Sequence, residues 1–208
     1  MSSYFGATSV GIKTKDGVVL ATDRRMSYGT FIMSKNAKKI FTVNNRVGIA
    51  FAGLYGDISG LIRFLKADIR SYSITYNVEP TVLMVAKRLS LIMYSYKVLP
   101  FFVETIVGGL DPNGNTRLYV LDSLGSITEE PYAAVGSGAT IALGYLEAHY
   151  RDDLTVEEAE ELAENAVKTA IIRDAGSGDG IDVLTITKDG MKEKKITLEV
   201  KITETREG

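Results

Sequence analysis

The hydrophobic pattern of this chain changes period several times, and the changes mark its elements. Residues 8–14 alternate and are rich in strand formers, and Lys15-Asp16-Gly17 carries the chemistry of a hairpin turn. Residues 18–24 then read as the partner strand. A looped stretch containing Gly29 leads to a third strand near 39–43, and Asn44-Asn45 turns the chain into a fourth at 46–54. That fourth segment holds the continuous run Val47-Gly48-Ile49-Ala50-Phe51-Ala52, which suits a strand buried on both faces.

From Asp57 to about Tyr76 the period becomes helical, with Ile58, Leu61, Ile62, Leu65 and Ile69 on one face. A second helix is expected from about Pro80 to Leu99, carrying Leu83, Val85, Leu89, Leu91, Ile92 and Tyr96 and stopping before Pro100. Strands return at 102–109 and 116–122, joined by the turn Asp111-Pro112-Asn113-Gly114-Asn115. A further strand follows Ser123-Leu124-Gly125 and reaches about 137. Residues 138–150 read as a helix. Thr155-Val156-Glu157-Glu158 is a capping box that opens another helix ending near Arg173. Gly176-Ser177-Gly178-Asp179-Gly180 breaks it, 181–187 forms a strand, and 192–200 is expected as the last one.

The order is strands, two helices, strands, two helices, strands. Two helix pairs covering two antiparallel sheets predict an α+β fold, a four-layer αββα sandwich. The segmentation expected is a leader-like stretch at 1–7, a single domain at 8–200 and a polar tail at 201–208.

Composition narrows the chemistry. The 208 residues are 45% hydrophobic and 24% charged, an ordinary globular balance, and the formal net charge of -2 gives no electrostatic footprint for nucleic acid. The chain has no cysteine, which excludes disulfides, thiolate metal sites and a Cys nucleophile together, and it has one histidine, His149. No metal site is expected. No run of about 18 apolar residues marks a membrane span. Met1–Gly6 lacks the basic and apolar regions of a signal peptide. The absence of cysteine fits a reducing cytoplasm.

Several short motifs occur in order. They are Gly6-Ala7-Thr8-Ser9-Val10-Gly11, Ala21-Thr22-Asp23-Arg24-Arg25, Lys38-Lys39-Ile40, Phe51-Ala52-Gly53, Gly136-Ser137-Gly138 and Asp174-Ala175-Gly176-Ser177-Gly178. Taken singly, each has a plainer reading. Asp23 reads as a strand-end carboxylate, Lys39 as one of a solvated cluster with Lys35 and Lys38, and the Gly-Ser-Gly triplets as helix-end turns. Taken together, over nearly the whole chain, they resemble the β subunits of the archaeal 20S proteasome, threonine peptidases of the N-terminal nucleophile type.

The resemblance implies a short propeptide ending in Gly, cut off so that a threonine becomes the new N-terminus and the nucleophile. Its own α-amine takes the proton. A buried lysine, here Lys39, would stabilise the anionic oxygen, with Asp23 as its partner. Asp174, Ser137 and Ser177 would surround the terminus, and backbone near Gly53 would form the oxyanion site. Met26, Ala37, Phe41, Phe51 and Tyr55 would line the pocket for the residue before the scissile bond, or else are plain core. No metal or organic cofactor is implied. The implied partners are proteasome α subunits, other β subunits in stacked heptameric rings, and unfolded polypeptide substrate. An ATPase regulator would act from outside, and the expected location is the cytoplasm. Helix residues such as Leu89 and Ile92 are then candidates for subunit interfaces.

The nucleophile is where the pattern departs. Val10, Asp23 and Lys39 stand at the family spacings from position 7, and position 7 is alanine. Strict register therefore puts a methyl group where the hydroxyl belongs, and the chain reads as a silent structural subunit. Thr8 is the alternative nucleophile. A one-residue slip in a strand turns a side chain to the opposite face, so Thr8 needs a local shift to serve.

Overall fold

The computed structural model describes residues 6–198. Its first five-stranded sheet takes β1 (Thr8–Lys13), β2 (Gly17–Asp23), β10 (Tyr132–Gly136), β11 (Gly180–Thr187) and β12 (Gly190–Thr197), in the order β10-β1-β2-β11-β12. The second takes β5 (Ile40–Thr42), β6 (Val47–Gly53), β7 (Val103–Leu110), β8 (Thr116–Leu121) and β9 (Ile127–Glu129), in sequence order. Every pairing is antiparallel. The four described helices are α1 (Tyr55–Tyr76), α2 (Val82–Ser95), α3 (Ala139–His149) and α4 (Val156–Arg173).

Three apolar clusters define the layers. Val18, Leu20, Ala50, Ile106, Leu118, Leu184 and Ile186 meet between the two sheets. The alternate residues of the second sheet, Val47, Ile49, Phe51, Val103 and Val107, face outward onto α1 and α2. The alternate residues of the first, Val10, Ile12, Val19, Ala21 and Val183, face α3 and α4. Because strand side chains alternate, each sheet presents two apolar faces, and each is covered. The result is the four-layer αββα sandwich expected from the sequence. Among the described residues, no helix is long and apolar enough to cross a membrane.

Helix α1 buries Ile58, Leu61, Ile62, Leu65 and Ile69, the face its spacing predicts. The capping box of α4 forms with both of its bonds, Glu158 N to the Thr155 hydroxyl at 3.2 Å and Thr155 N to the Glu158 carboxylate at 2.9 Å.

Four expectations are corrected. The stretch after β2 is not a loop but a ribbon, β3 (Met26–Tyr28) and β4 (Phe31–Ser34), closed at Gly29. It lacks a strand signal because its large apolar side chains, Tyr28, Phe31 and Met33, are exposed rather than alternating into a core. The single strand expected to reach 137 is two, β9 and β10, in different sheets. Pro131, with no N–H to donate, marks the crossing. Helix α2 ends at Ser95, and the chain tightens into three-residue bonds, Tyr96 N to Met93 O and Lys97 N to Tyr94 O, both 3.1 Å. Its inner face is Val82, Val85, Ala86, Leu89 and Met93, so Leu89 is core and Ile92 packs half-buried against it, while Leu91 and Tyr96 are exposed. Strand β12 ends at Thr197. Residues 199–200 of the strand expected there, the tail 201–208 and Met1–Phe5 of the leader-like stretch lie outside the described residues.

Candidate active site

The motifs converge at one end of the first sheet, where β1 begins. Asp23, the last residue of β2, is fully buried and is the common acceptor there. Its Oδ1 accepts the Lys39 ammonium at 2.6 Å and the Thr8 N–H at 2.9 Å. Its Oδ2 accepts the N–H groups of Arg25 and Gly178, both at 3.0 Å. One carboxylate thus ties together the start of β1, the turn after β2 and the loop before β11. Lys39 arrives from the second sheet, just ahead of β5, where its carbonyl accepts the Phe51 N–H at 3.0 Å, and its side chain is as buried as its partner. Two charges out of water are tolerated because they pair and because backbone donors complete the carboxylate's shell.

A second polar set surrounds residues 7 and 8 from the helix side. The Ser137 hydroxyl accepts the Ala7 N–H at 3.1 Å and lies 2.6 Å from Asp174 Oδ2. The Ser177 hydroxyl also donates to Asp174 Oδ2, at 2.6 Å. Thr8 Oγ1 sits 2.7 Å from Ser177 Oγ. A hydroxyl carries one proton, and that of Ser177 is committed to Asp174, so Thr8 donates to Ser177. The loop carrying Ser177 is clamped by Arg25, whose Nε meets Asp179 Oδ2 at 2.8 Å and whose Nη1 donates to the Ala175 carbonyl at 3.0 Å. Sequence reasoning gave Arg25 and Asp179 no role. Their only signal was position: Arg25 closes the Asp23 motif, and Asp179 directly follows the Ser177 motif.

The alternation of β1 decides which side chain faces which set. Ala7, Ser9 and Gly11 face the second sheet. Ala7 is fully buried in the inter-sheet cluster, and Ser9 Oγ donates to the Phe51 carbonyl of β6 at 2.7 Å. A Cβ on Gly11 would strike Ile106 and Leu118. Thr8, Val10 and Ile12 face the helices. The Thr8 hydroxyl lies against Gly138, where a Cβ would come within 2.1 Å of it. Residue 7 therefore points toward the sheet that delivers Lys39, and Thr8 points away from it. Gly6 and Gly176 touch backbone to backbone, since a Cβ on Gly6 would fall 2.0 Å from the Gly176 Cα.

The remaining predicted residues lie on the second sheet and beside it. Gly53 ends β6 with φ of 133°, and a Cβ there would fall 2.0 Å from the Phe102 carbonyl oxygen, so only glycine fits. Phe51 is fully buried among Val47, Ile49 and Ile58, and half-buried Phe41 packs on it edge to face, with ring centroids 6.1 Å apart. Ala37 is buried, and Met26 and Tyr55 are half-buried. Among the described residues, no three acidic or histidine side chains converge as a metal ligand set.

Comparison with known proteins agrees with this geometry. A family model described as proteasome subunit matches residues 4–186. The chain is 49% identical over 189 residues to proteasome subunit beta 1 of Desulfurococcus amylolyticus, covering 91% of this chain and 93% of that protein. It is 52% identical over 185 residues to proteasome subunit beta 1 of Ignicoccus hospitalis, covering 89% and 92%. It is 47% identical over 197 residues to proteasome subunit beta 2 of Pyrobaculum neutrophilum, covering 95% and 97%. With the αββα layers and the buried Asp23–Lys39 pair at the head of β1, these matches establish that the chain belongs to the proteasome subunit family, as a β-type subunit of the 20S core.

Proposed function

We propose that this chain is a catalytically silent β subunit, one that completes the wall of the proteolytic chamber without supplying a nucleophile of its own. The carrying observation is the direction of two adjacent side chains. The residue facing the second sheet, from which Lys39 comes, is Ala7, and a methyl group cannot attack a carbonyl. The neighbouring hydroxyl, Thr8, is fully buried on the opposite face and donates to Ser177, which in turn donates to Asp174. To act as nucleophile it would have to leave that network and turn through the strand, whereas catalysis demands a preset attack geometry.

The surrounding machinery supports a site lacking only its attacking atom. Asp23 and Lys39 remain paired, and Ser137 remains on the residue-7 nitrogen with Asp174 bonded behind it. Chemical activity of the ring would come from a second β subunit with threonine at this register, with α subunits capping the rings and unfolded polypeptide as substrate. The chain needs no metal or organic cofactor in this reading, and its place is the cytoplasm. Without a hydroxyl directly after Gly6 the chain cannot cleave itself there, so residues 1–6 are retained.

The test is the intact mass and peptidase activity of particles assembled with this chain as their only β subunit. The expected result is an unprocessed chain and negligible hydrolysis of unfolded peptides. Ala7→Thr should yield a chain beginning at residue 7 and a rate gain of several orders of magnitude, roughly the size of nucleophile deletions elsewhere. A native chain that starts uniformly at Thr8, is active, and loses activity in Thr8→Ala overturns the proposal in favour of Thr8 as nucleophile.

A further inference from the structure

One residue braces the site from the second sheet and belongs to none of the motifs above. Glu104 lies in β7, opposite Ala52 of β6. Its Oε2 accepts the N–H of Gly136, in β10 of the other sheet, at 2.7 Å. Gly136 has φ of 99°, which turns its peptide out of regular strand geometry. It is also packed without room for a side chain, since a Cβ there would fall 2.2 Å from the Ala7 carbonyl oxygen and 2.8 Å from the Ala52 Cβ. The next residue is Ser137, whose hydroxyl accepts the Ala7 N–H. Glu104 is exposed, and among the described residues its carboxylate pairs with no cation, so the Gly136 N–H is the protein donor that it holds. A carboxylate acceptor makes a shorter and stronger bond than a neutral one.

We propose that Glu104 is a positioning residue of this site: its carboxylate, reaching across from the second sheet, fixes the Gly136 peptide and through it the Ser137 hydroxyl that holds the nitrogen of residue 7. The role rests on the reading above, in which that nitrogen is the base once residue 7 is threonine. The β10–β1 ladder ends with Thr8 opposite Gly136, and beyond it the two chains are joined by the Ala7 N–H bond to Ser137 and a long Gly138 N to Ala7 O contact of 3.4 Å. The spacing between the two sheets thereby enters the geometry of the site. Glutamine keeps an acceptor at the same reach and loses the charge, and alanine loses both.

Two measurements test this. In the full-length chain otherwise unchanged, amide hydrogen exchange is followed at Gly136, Ser137 and Gly138. Glu104→Ala should speed it by about 10- to 100-fold, the range for a lost bond to a charged acceptor, and Glu104→Gln should recover most of the protection. Exchange within about twofold of the parent in Glu104→Ala overturns the proposal, by the same scale. In assembled particles carrying Ala7→Thr, Glu104→Ala should lower kcat about tenfold or more with KM nearly unchanged, and Glu104→Gln should restore most of it. An undiminished kcat in Glu104→Ala overturns the role. If Ala7→Thr itself stays inactive, the silent-subunit reading fails instead, and the exchange measurement alone decides for or against Glu104.

Discussion

Removing either member of the buried Asp23–Lys39 pair should destabilise the chain, and by unequal amounts. Lys39→Met keeps the apolar stem and deletes the charge. It leaves the fully buried Asp23 without its counter-charge, yet still holding three backbone donors, from Thr8, Arg25 and Gly178. Breaking a buried ion pair by removing one partner costs about 3–5 kcal/mol. The three remaining bonds put Lys39→Met at the lower end, about 3 kcal/mol. Asp23→Ala strands the lysine and also orphans those three N–H groups, each worth roughly 1–3 kcal/mol when buried without a partner. It should therefore exceed about 5 kcal/mol, a large share of the 5–15 kcal/mol that typically separates folded from unfolded chains. Asp23→Asn, which keeps one acceptor oxygen, should fall between the two. The double variant Asp23→Asn/Lys39→Met should cost less than the sum of its parts, because neither change then strands a charge. Urea unfolding of the isolated chain, read as midpoint and slope, measures all four. The reasoning is refuted if Lys39→Met costs as much as Asp23→Asn, or if both singles cost under about 1 kcal/mol, below any buried-pair value.

Two further outcomes follow from particular side chains. Asp182 is buried beside Arg24, with 3.4 Å between its Oδ1 and the Arg24 Nε, and yet burial pushes its carboxyl above the ordinary range, outweighing Arg24, Lys195 and Lys38. The folded state then binds this proton more tightly than the unfolded one, so its contribution to stability declines as pH rises from the ordinary carboxylate value to the raised folded value. Asp182→Asn should therefore gain stability relative to the parent across that window, seen as a growing difference in Tm; a difference that shrinks with rising pH would contradict it. Thr155→Ala removes the cap of α4 and should cost about 1 kcal/mol in the same urea assay, with Thr155→Ser near neutral; equal losses in both would assign the effect to something other than the capping bond.

Most of the architecture was legible because its cues are local. Hydrophobic spacing located α1 to its inner face, and the capping box located the start of α4 to the residue. The misreadings share a cause. The β3–β4 ribbon turns its large apolar side chains to solvent, so no buried face is written in its pattern. The β9–β10 division depends on which sheet each half joins, a long-range choice that pairs β9 with β8 and β10 with β1. In α2, Leu91 suits the apolar periodicity but lies off the packed stripe, which runs through Val82, Val85, Ala86, Leu89 and Met93, and Tyr96 falls just past the helix end. Family spacing brought Asp23 and Lys39 to notice. No spacing could reveal Glu104, because it acts from another sheet through a backbone N–H.

The offset at positions 7 and 8 draws its force from the pairing of β1 rather than from the identity of either residue. β1 is held on both sides, Ser9 opposite Thr22 of β2 and Val135 of β10, so it cannot slide by one residue without breaking two ladders. A slip would also bring Val10 and Ile12, now packed on α3 and α4, onto the inter-sheet face and expose the helices to Ser9 and Gly11. Only a bulge confined to the first residues of β1 could redirect Thr8 alone. Such a bulge would have to give up the Thr8 N–H bond to Asp23, which is one of the four that hold the buried carboxylate. The ladder that builds the fold is thus the same feature that keeps the Thr8 hydroxyl on the helix side.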